Sequence, residues 1–413
     1  MNERFTFVFM HLPEGPVAAG RLRMVDDGRN SYSGFAYGTR YRARRDAVPV
    51  DPEALPLDGP AGEVLTDADF DLFNGIRDAA PDGWGRYLMQ KAAGAQHLGE
   101  FDYLVASGEH RVGALAFGPT SARPERHQPW GDGNTADASL DFEALAQAVA
   151  HVKTIDALDP AMRRLLEAGS SLGGARPKAA VTLHDVEWIA KFPASNDSFD
   201  MPRAEYATMR IASACGLDVP AIELTSVLGR SVYLVQRFDR IAGDPVQRRP
   251  FASALTLLRA HEIAAGGYSY AEIAAQLRKH GSAPSRDLRE LFRRMVFNVL
   301  VGNSDDHLRN HGMLHDGREW RLSPLYDVVP CPQVGTDRFL VLGLGVDGKR
   351  ATLANAASGH AAFGIGRAEA DTLIEEMRLQ VAGSWENGLR SSGVIREEME
   401  RLAPCFAASK QDA

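Results

Sequence analysis

The sequence predicts an α+β chain in which a β-rich N-terminal module precedes two lobes, one small and mixed, one helical. Three observations carry that reading. Short strand-like runs crowd residues 5–118, and a strand–turn–strand pattern with one helix fills residues 170–240. Helical periodicity then dominates from about residue 250 to the end. A chain of 413 residues fits two or three domains of roughly 150 residues each. The expected boundaries are 1–120 for the β-rich subdomain, 121–139 for a linker, 140–245 for the mixed lobe and 246–413 for the helical lobe.

The first module shows the runs FTFVFMHL, AAGRLRMV, SGFAYG and RVGALAFGP, with a helical stretch from about Asp67 to Ala93 between the last two. The polar, Pro- and Gly-rich segment PTSARPERHQPWGDGNTADAS is the linker candidate. Helices are expected at 141–153 and 160–168. The runs SSLGGARPKAAVTL and VEWIAKFP read as two strands with the glycine turn between the first strands of the lobe. Helix AEYATMRIASACG and strands AIELTSVL and SVYLVQRFDR follow. Beyond residue 250, ASALTLLRAHEI, YAEIAAQLRKH, SRDLRELFRRMVFNVLVG, RAEADTLIEEMRLQV and VIREEMERLAPCF carry helical periodicity. One strand pair, HGMLHD and EWRLSP, interrupts them around an Asp-Gly turn.

Composition narrows the function classes. Hydrophobic content of 45% and charged content of 24% are those of a globular protein with a sizeable core. A formal charge of −8 argues against a large basic nucleic-acid face. Cys215, Cys331 and Cys405 are far apart, form no CxxC pair and fit a reducing compartment. No run of about 18 apolar residues is present to span a bilayer, and the N-terminal run is too interrupted for a signal peptide. A cytoplasmic protein without a membrane partner is therefore expected.

Chemistry concentrates in GNSDDHLRNHGML, which places Asp305, Asp306, His307 and Asn310 directly after the apolar run MVFNVLV. Adjacent carboxylates repel, and burying them is costly unless they are paired or metal-bound, so this loop reads as a site. Phosphoryl-transfer sites of the kinase type place an Asp that orients the attacking hydroxyl five residues before a metal-binding Asn, with a second metal-binding Asp after a hairpin. Asp305 and Asn310 have that spacing, and Asp327 in LSPLYDVVP follows the strand pair. Such oxygen donors, with nucleotide phosphates, suit magnesium.

Upstream, Lys191 is the lone positive charge of the WIAKFP run, where a lysine would reach nucleotide phosphates. Glu205, fourteen residues later, opens a helix from which it could pair with Lys191. Gly173 and Gly174 allow a close backbone approach and an anion nest of N–H groups. Each part has a plainer reading: a hairpin turn, an edge-strand lysine, a helix-capping Asp. The order glycine turn, Lys, Glu, Asp-x4-Asn, Asp is what joins them. His307, His311 and His315 recur every four residues, but Gly312 breaks any shared helix, so His307 is expected to fix the loop by hydrogen bonds.

The segments SSLGGARPK, WIAKFP, LVQRFDR, FNVLVGNSDDHLRNHGML and LSPLYDVVP resemble the HipA family of serine/threonine protein kinases, toxins of type II toxin–antitoxin modules. FNGIRDAAPDGWGRYLM and RVGALAFGP are similar to its N-terminal region, so the resemblance spans nearly the whole chain. It implies a two-lobed protein-kinase-like fold with an all-helical C-terminal lobe. It makes Asp305 the catalytic base, Asn310 and Asp327 the magnesium ligands, and Lys191 the phosphate-binding lysine. Glu205, His307 and the Gly173–Gly174–Ala175 turn join the ATP site, and Gln236 and Phe238 form the linker that holds adenine. Asp306 stands where the family often has a small residue, which brings a second carboxylate beside the base.

The resemblance also implies ATP-dependent phosphorylation of a bacterial protein, an aminoacyl-tRNA synthetase in characterised members, with arrest of growth. It implies a small helix-turn-helix antitoxin as partner, through which alone DNA is contacted. A serine of the glycine turn is autophosphorylated in that family; alignment on GARPK selects Ser171, with Ser170 as the minor site. The plainer reading is a serine that caps the preceding helix. Two other functions compete: a small-molecule phosphotransferase of the aminoglycoside type, and a catalytically silent co-repressor that only binds its antitoxin.

Overall fold

A computed structural model describes residues 2–26, 31–94, 96–125, 142–155, 159–243, 246–335 and 337–410. Most of the linker expected at 121–139 lies outside the described residues.

Strands β1 (Asn2–Leu12), β2 (Gly15–Asp26) and β3 (Ser31–Tyr37) form an antiparallel meander. Its first turn is made at Gly15, whose φ of +120° no side chain adopts comfortably. Helix α1 (Thr39–Arg42) follows, then β4 (Val64–Leu65) outside β3, while β5 (Leu115–Gly118) returns to pair with β1. The sheet order is β4-β3-β2-β1-β5. The helical stretch expected at 67–93 is two helices, α2 (Asn74–Asp78) and α3 (Gly83–Ala93), broken at Pro81 and restarted by the capping side chain of Asp82. Helix α4 (Glu100–Ala106) completes this region.

Helices α5 (Phe142–Ala150) and α6 (Pro160–Gly169) lead into a second antiparallel sheet. It contains β6 (Lys178–Leu183), β7 (Val186–Lys191), β8 (Ile222–Val227) and β9 (Arg230–Gln236) in the order β6-β7-β9-β8. Helix α7 (Met201–Ala214) crosses between β7 and β8. The glycine turn was expected between two strands; it lies instead between α6 and β6. The cause is packing: Ser170, Ser171 and Leu172 are buried rather than extended on a sheet edge.

The short pairs β10 (Arg240–Ile241) and β11 (Gln247–Arg248) lead to β12 (Phe251–Ser253) and the one-turn helix α8 (Ala254–Leu257). Helices α9 (Tyr270–His280) and α10 (Pro284–Val301) precede the hairpin β13 (Gly312–His315) and β14 (Trp320–Leu322). β12 pairs with β13, giving a three-stranded sheet. The C-terminal part is therefore not all-helical: the strand pair recognised in the sequence recruits β12, and that sheet carries the Asp/Asn loop. Helices α11 (Leu353–Ser358), α12 (Arg367–Ser391) and α13 (Arg396–Leu402) follow, and a 3-10 stretch, Ala403–Lys410, comes after them. Among the described residues no helix is long and apolar enough to cross a membrane.

Helix α10 explains the contrast between MVFNVLV and the polar loop behind it. Residues 294–301 are buried throughout, so this half of the helix is apolar on nearly every side. Gly302 ends it at φ +63°, and a Cβ there would lie 2.9 Å from the Cys405 carbonyl oxygen. The chain thus leaves the core abruptly and presents its polar residues at once. One apolar cluster runs from Val8 and Phe35 of the first sheet to Phe297 and Trp385 of the helices. A second joins Trp84 and Leu88 of α3 to Leu165 of α6 and Ala190 of β7.

Candidate active site

Lys191 ends β7, and its neighbour on the same sheet face follows from the turn that joins β6 to β7. His184 and Asp185 form that two-residue turn with φ of +50° and +59°, which fixes the register and sets Lys178 opposite Lys191. Both side chains therefore leave the sheet on one face. Lys191 Nζ lies 2.5 Å from Glu205 Oε1 and 2.6 Å from Asp327 Oδ1. Burial opposes its charge, yet the carboxylates of Asp327 and Glu205 outweigh burial and raise its pKa. The Lys191 ammonium in turn holds the Asp327 carboxyl well below the usual range, against burial. Glu205, buried in α7, is pushed up by desolvation despite its lysine.

Asp327 is one of the few residues other than glycine with positive φ, at +61°. That conformation costs of order 1–3 kcal/mol and persists where the surroundings hold it. Here the ion pair with Lys191 and the packing of Tyr326 on Phe238, at 5.3 Å between ring centroids, hold it.

Asn310 closes a short turn after His307 and donates from Nδ2 to the Asp305 carbonyl at 3.1 Å. Asp305 itself is exposed. Its pKa is raised by partial burial and by the charges of Asp327 and Asp306, with His307 pulling the other way. Asp306 points into the core: Tyr270 donates to it, and His311 Nε2 sits 3.1 Å from its Oδ2. The two adjacent acids thus face opposite ways, one to solvent and one to a buried pair. His307 does not pin the loop through both ring nitrogens, because its Nδ1 is buried without a hydrogen-bond partner. His315 contacts Trp320 and accepts from Gly317, so the three histidines share no ligand. Among the described residues no three His, Cys, Asp or Glu side chains are arranged to hold a metal.

The glycine turn is close but already engaged. Gly174 has φ +90°, and a Cβ there would lie 2.4 Å from Lys178 Nζ. Its N–H donates to Asp82 Oδ2 at 3.3 Å, so an anion nest would have to compete with that bond. Gly173 is open to solvent-side space, and Ala175 packs near Gly83. Ser170 caps α6 and its Oγ accepts from the Gly108 N–H at 2.9 Å; Ser171 Oγ is buried without a partner. At Gln236 the backbone N–H is used by the Ala221 carbonyl, and the Arg237 N–H by Glu187. The carbonyls of this strand end and the Phe238 ring are what it offers a base.

Sequence reasoning missed Lys178, Asp82 and Arg309. Lys178 is buried, and desolvation followed by the neighbouring Lys191 charge lowers its pKa. Its signal was the two-residue His-Asp turn, which counts Lys178 opposite Lys191. The donor set as a whole fits a magnesium–nucleotide pair: one carboxylate and one amide for a hard cation that keeps waters and phosphate oxygens, and two lysines for the phosphates.

Residues 170–385, more than half of the chain, match the HipA-like C-terminal domain family. "Putative kinase Y4mE" of Sinorhizobium fredii is 29% identical over 79% of this chain and 78% of its own length. "Putative kinase Y4dM" of the same organism is 26% identical over 75% and 73%. The chain of HipA in the Shewanella oneidensis HipA–HipB–operator DNA complex superposes with a TM-score of 0.70 at 16% identity, covering 97% of this chain and 95% of that one. The fold is shared from end to end, and the match over the Lys191, Asp305 and Asp327 segments makes this chain a member of the HipA family.

Proposed function

We propose that the protein is an ATP- and magnesium-dependent serine/threonine protein kinase and the toxin of a toxin–antitoxin module. The observation that carries this reading is Lys191 Nζ held between Glu205 and Asp327, beside the loop of Asp305 and Asn310. In this reading Lys191 and Lys178 bind phosphate oxygens of ATP, and Glu205 aims Lys191. Asn310 and Asp327 would hold magnesium, which when bound neutralises phosphate charge. Asp305 orients the acceptor hydroxyl and takes its proton as the oxygen–phosphorus bond forms and ADP leaves. The segment Gln236–Phe238 receives adenine. The acceptor is a protein, an aminoacyl-tRNA synthetase being the family's precedent, and the outcome is growth arrest. The structural relative stands in complex with HipB and operator DNA. By that analogy the partner here is a small helix-turn-helix antitoxin, and the acidic chain meets DNA only through it.

Ser171, with Ser170 as minor site, is proposed as the autophosphorylation site. Both hydroxyls are buried and lie near Gly108, so modification requires the turn to leave its seat. A phosphate adds about −1.5 to −2 charges and cannot return to that buried seat, which keeps the turn out and switches the kinase off. The test incubates wild type and Asp305→Asn with ATP, with and without magnesium, and reads ADP and phosphopeptides. Metal-dependent ADP formation with phosphate on Ser171 in the wild type alone is expected. Equal phosphate in the Asp305→Asn variant, or none on either serine of an active enzyme, would contradict the autophosphorylation proposal, and absence of ADP the kinase itself.

A further inference from the structure

The stretch DAAPDGWGR has no part in the mechanism above, yet the first turn of α3 is seated directly on the site. Asp82 caps α3, its Oδ1 accepting the Gly83 N–H at 2.7 Å. Its Oδ2 accepts two bonds from different parts of the chain: the Gly174 N–H at 3.3 Å and Arg309 Nη1 at 2.9 Å. Trp84 adds one more tie to the glycine turn and one to the strand behind it, its N–H donating to the Gly174 carbonyl at 3.0 Å and its indole Nε1 to the Lys178 carbonyl of β6 at 2.9 Å. The approach demands small residues. A Cβ on Gly83 would lie 3.1 Å from Ala175 Cα, and one on Gly85 would lie 2.4 Å from the Ser170 carbonyl oxygen.

Arg309 stands between Asp305 and Asn310 in the catalytic loop. Its second Nη donates to Glu262, and its carbonyl accepts from Tyr326 Oη at 2.6 Å, next to Asp327. One carboxylate oxygen thus joins the turn that would cover the nucleotide to the loop that carries the base. As a stabilising contact this pair is weak, because Asp82 is 37% and Arg309 24% exposed. Its value lies in geometry: two segments on separate elements are fixed at one separation.

We propose that Asp82 is a positioning residue for phosphoryl transfer, so that the N-terminal region is a working part of the active site. The proposal rests on the phosphoryl-transfer reading above. Misplacing reacting groups by about 1 Å costs about 10²-fold in rate, and loosening this bridge frees the glycine turn and the catalytic loop to shift independently. A purely capping role for Asp82 predicts something different, since Asn caps a helix as well as Asp does.

The experiment measures kcat and KM for ATP at saturating magnesium, by ADP release from the full chain. It compares wild type, Asp82→Asn, Asp82→Ala, Arg309→Ala and the double variant Asp82→Ala/Arg309→Ala, with melting temperatures alongside. The expected result is a fall in kcat of about 10²-fold in Asp82→Ala, with a much smaller change in KM. Asp82→Asn, which keeps the cap and an acceptor for Gly174 but not the charge facing Arg309, should fall between. The double variant should be no slower than Arg309→Ala, because both changes cut one link. Wild-type kcat in Asp82→Asn and Asp82→Ala, or losses that multiply in the double variant, would overturn the proposal. If Asp82→Ala does not fold, Asp82→Asn and Arg309→Lys decide it by the same kcat criterion. A wild-type enzyme that makes no ADP refutes the kinase reading itself, whereas an active wild type with unaffected Asp82 variants refutes only the proposal.

Discussion

Asp305→Asn is expected to abolish phosphoryl transfer while leaving the fold intact. The amide keeps the shape of the exposed side chain and loses the proton acceptor; general-base assistance alone is worth about 10²–10⁴-fold. Asp306→Asn should fail in the opposite way. Its carboxylate is buried and accepts from Tyr270 beside His311, so the amide weakens a buried hydrogen bond to a charged group, of the kind worth about 1.5–3 kcal/mol, and lowers the melting temperature. The comparison is a rate assay with a thermal melt on both variants; full activity in Asp305→Asn with a dead but stable Asp306→Asn would reverse the assignment. The pH profile adds a signed check. Partial burial raises the Asp305 pKa, and the base works only when ionised, so activity should fall on acidification at a higher pH than an unperturbed aspartate would give. An acidic limb at or below that of an unperturbed aspartate would remove Asp305 as the titrating group.

Magnesium should make ATP a strong stabiliser. Ligand at a hundred times its Kd adds about 2.7 kcal/mol to the native state. Without a divalent cation the rise in melting temperature with ATP should be modest, and with magnesium clearly larger. Asp327→Ala should lose the metal-dependent increment, since it removes the single carboxylate of the proposed ligand pair. Lys191 would then keep only Glu205 as its carboxylate partner. An increment unchanged in Asp327→Ala would exclude Asp327 as a ligand.

The parts legible in the sequence were those set by local periodicity. The helix 284–301, the hairpin after Asn310 and the strands of the second sheet follow from apolar spacing and turn residues. The pairing of Lys191 with Glu205 was legible too, because a lone lysine in an apolar strand needs a carboxylate and the next helix offers one. What was not legible depends on contacts distant in sequence. The glycine turn reads like a connection between two strands, and only burial of Ser170 and Ser171 beside Gly108 shows that it joins a helix to a strand. Asp82 caps α3 through a local bond, but its bond to Arg309 spans 227 positions that no local pattern reports. The three-stranded sheet escaped because β12 has only three residues, too few for an alternation to register. Asp305 and Asp306 look alike as adjacent acids until the distant Tyr270, with His311, is seen to claim one of them.

On the proposed function, these residues move the γ-phosphate of ATP to serine or threonine hydroxyls of another protein. The most direct measurement is phosphopeptide mass spectrometry of a bacterial lysate incubated with magnesium, ATP and either the purified protein or Asp305→Asn. The expected result is a small set of serine or threonine phosphosites on one or a few proteins, present with the wild type and absent with the variant. Identical phosphosites in both samples, or phosphate found only on small molecules, would contradict it.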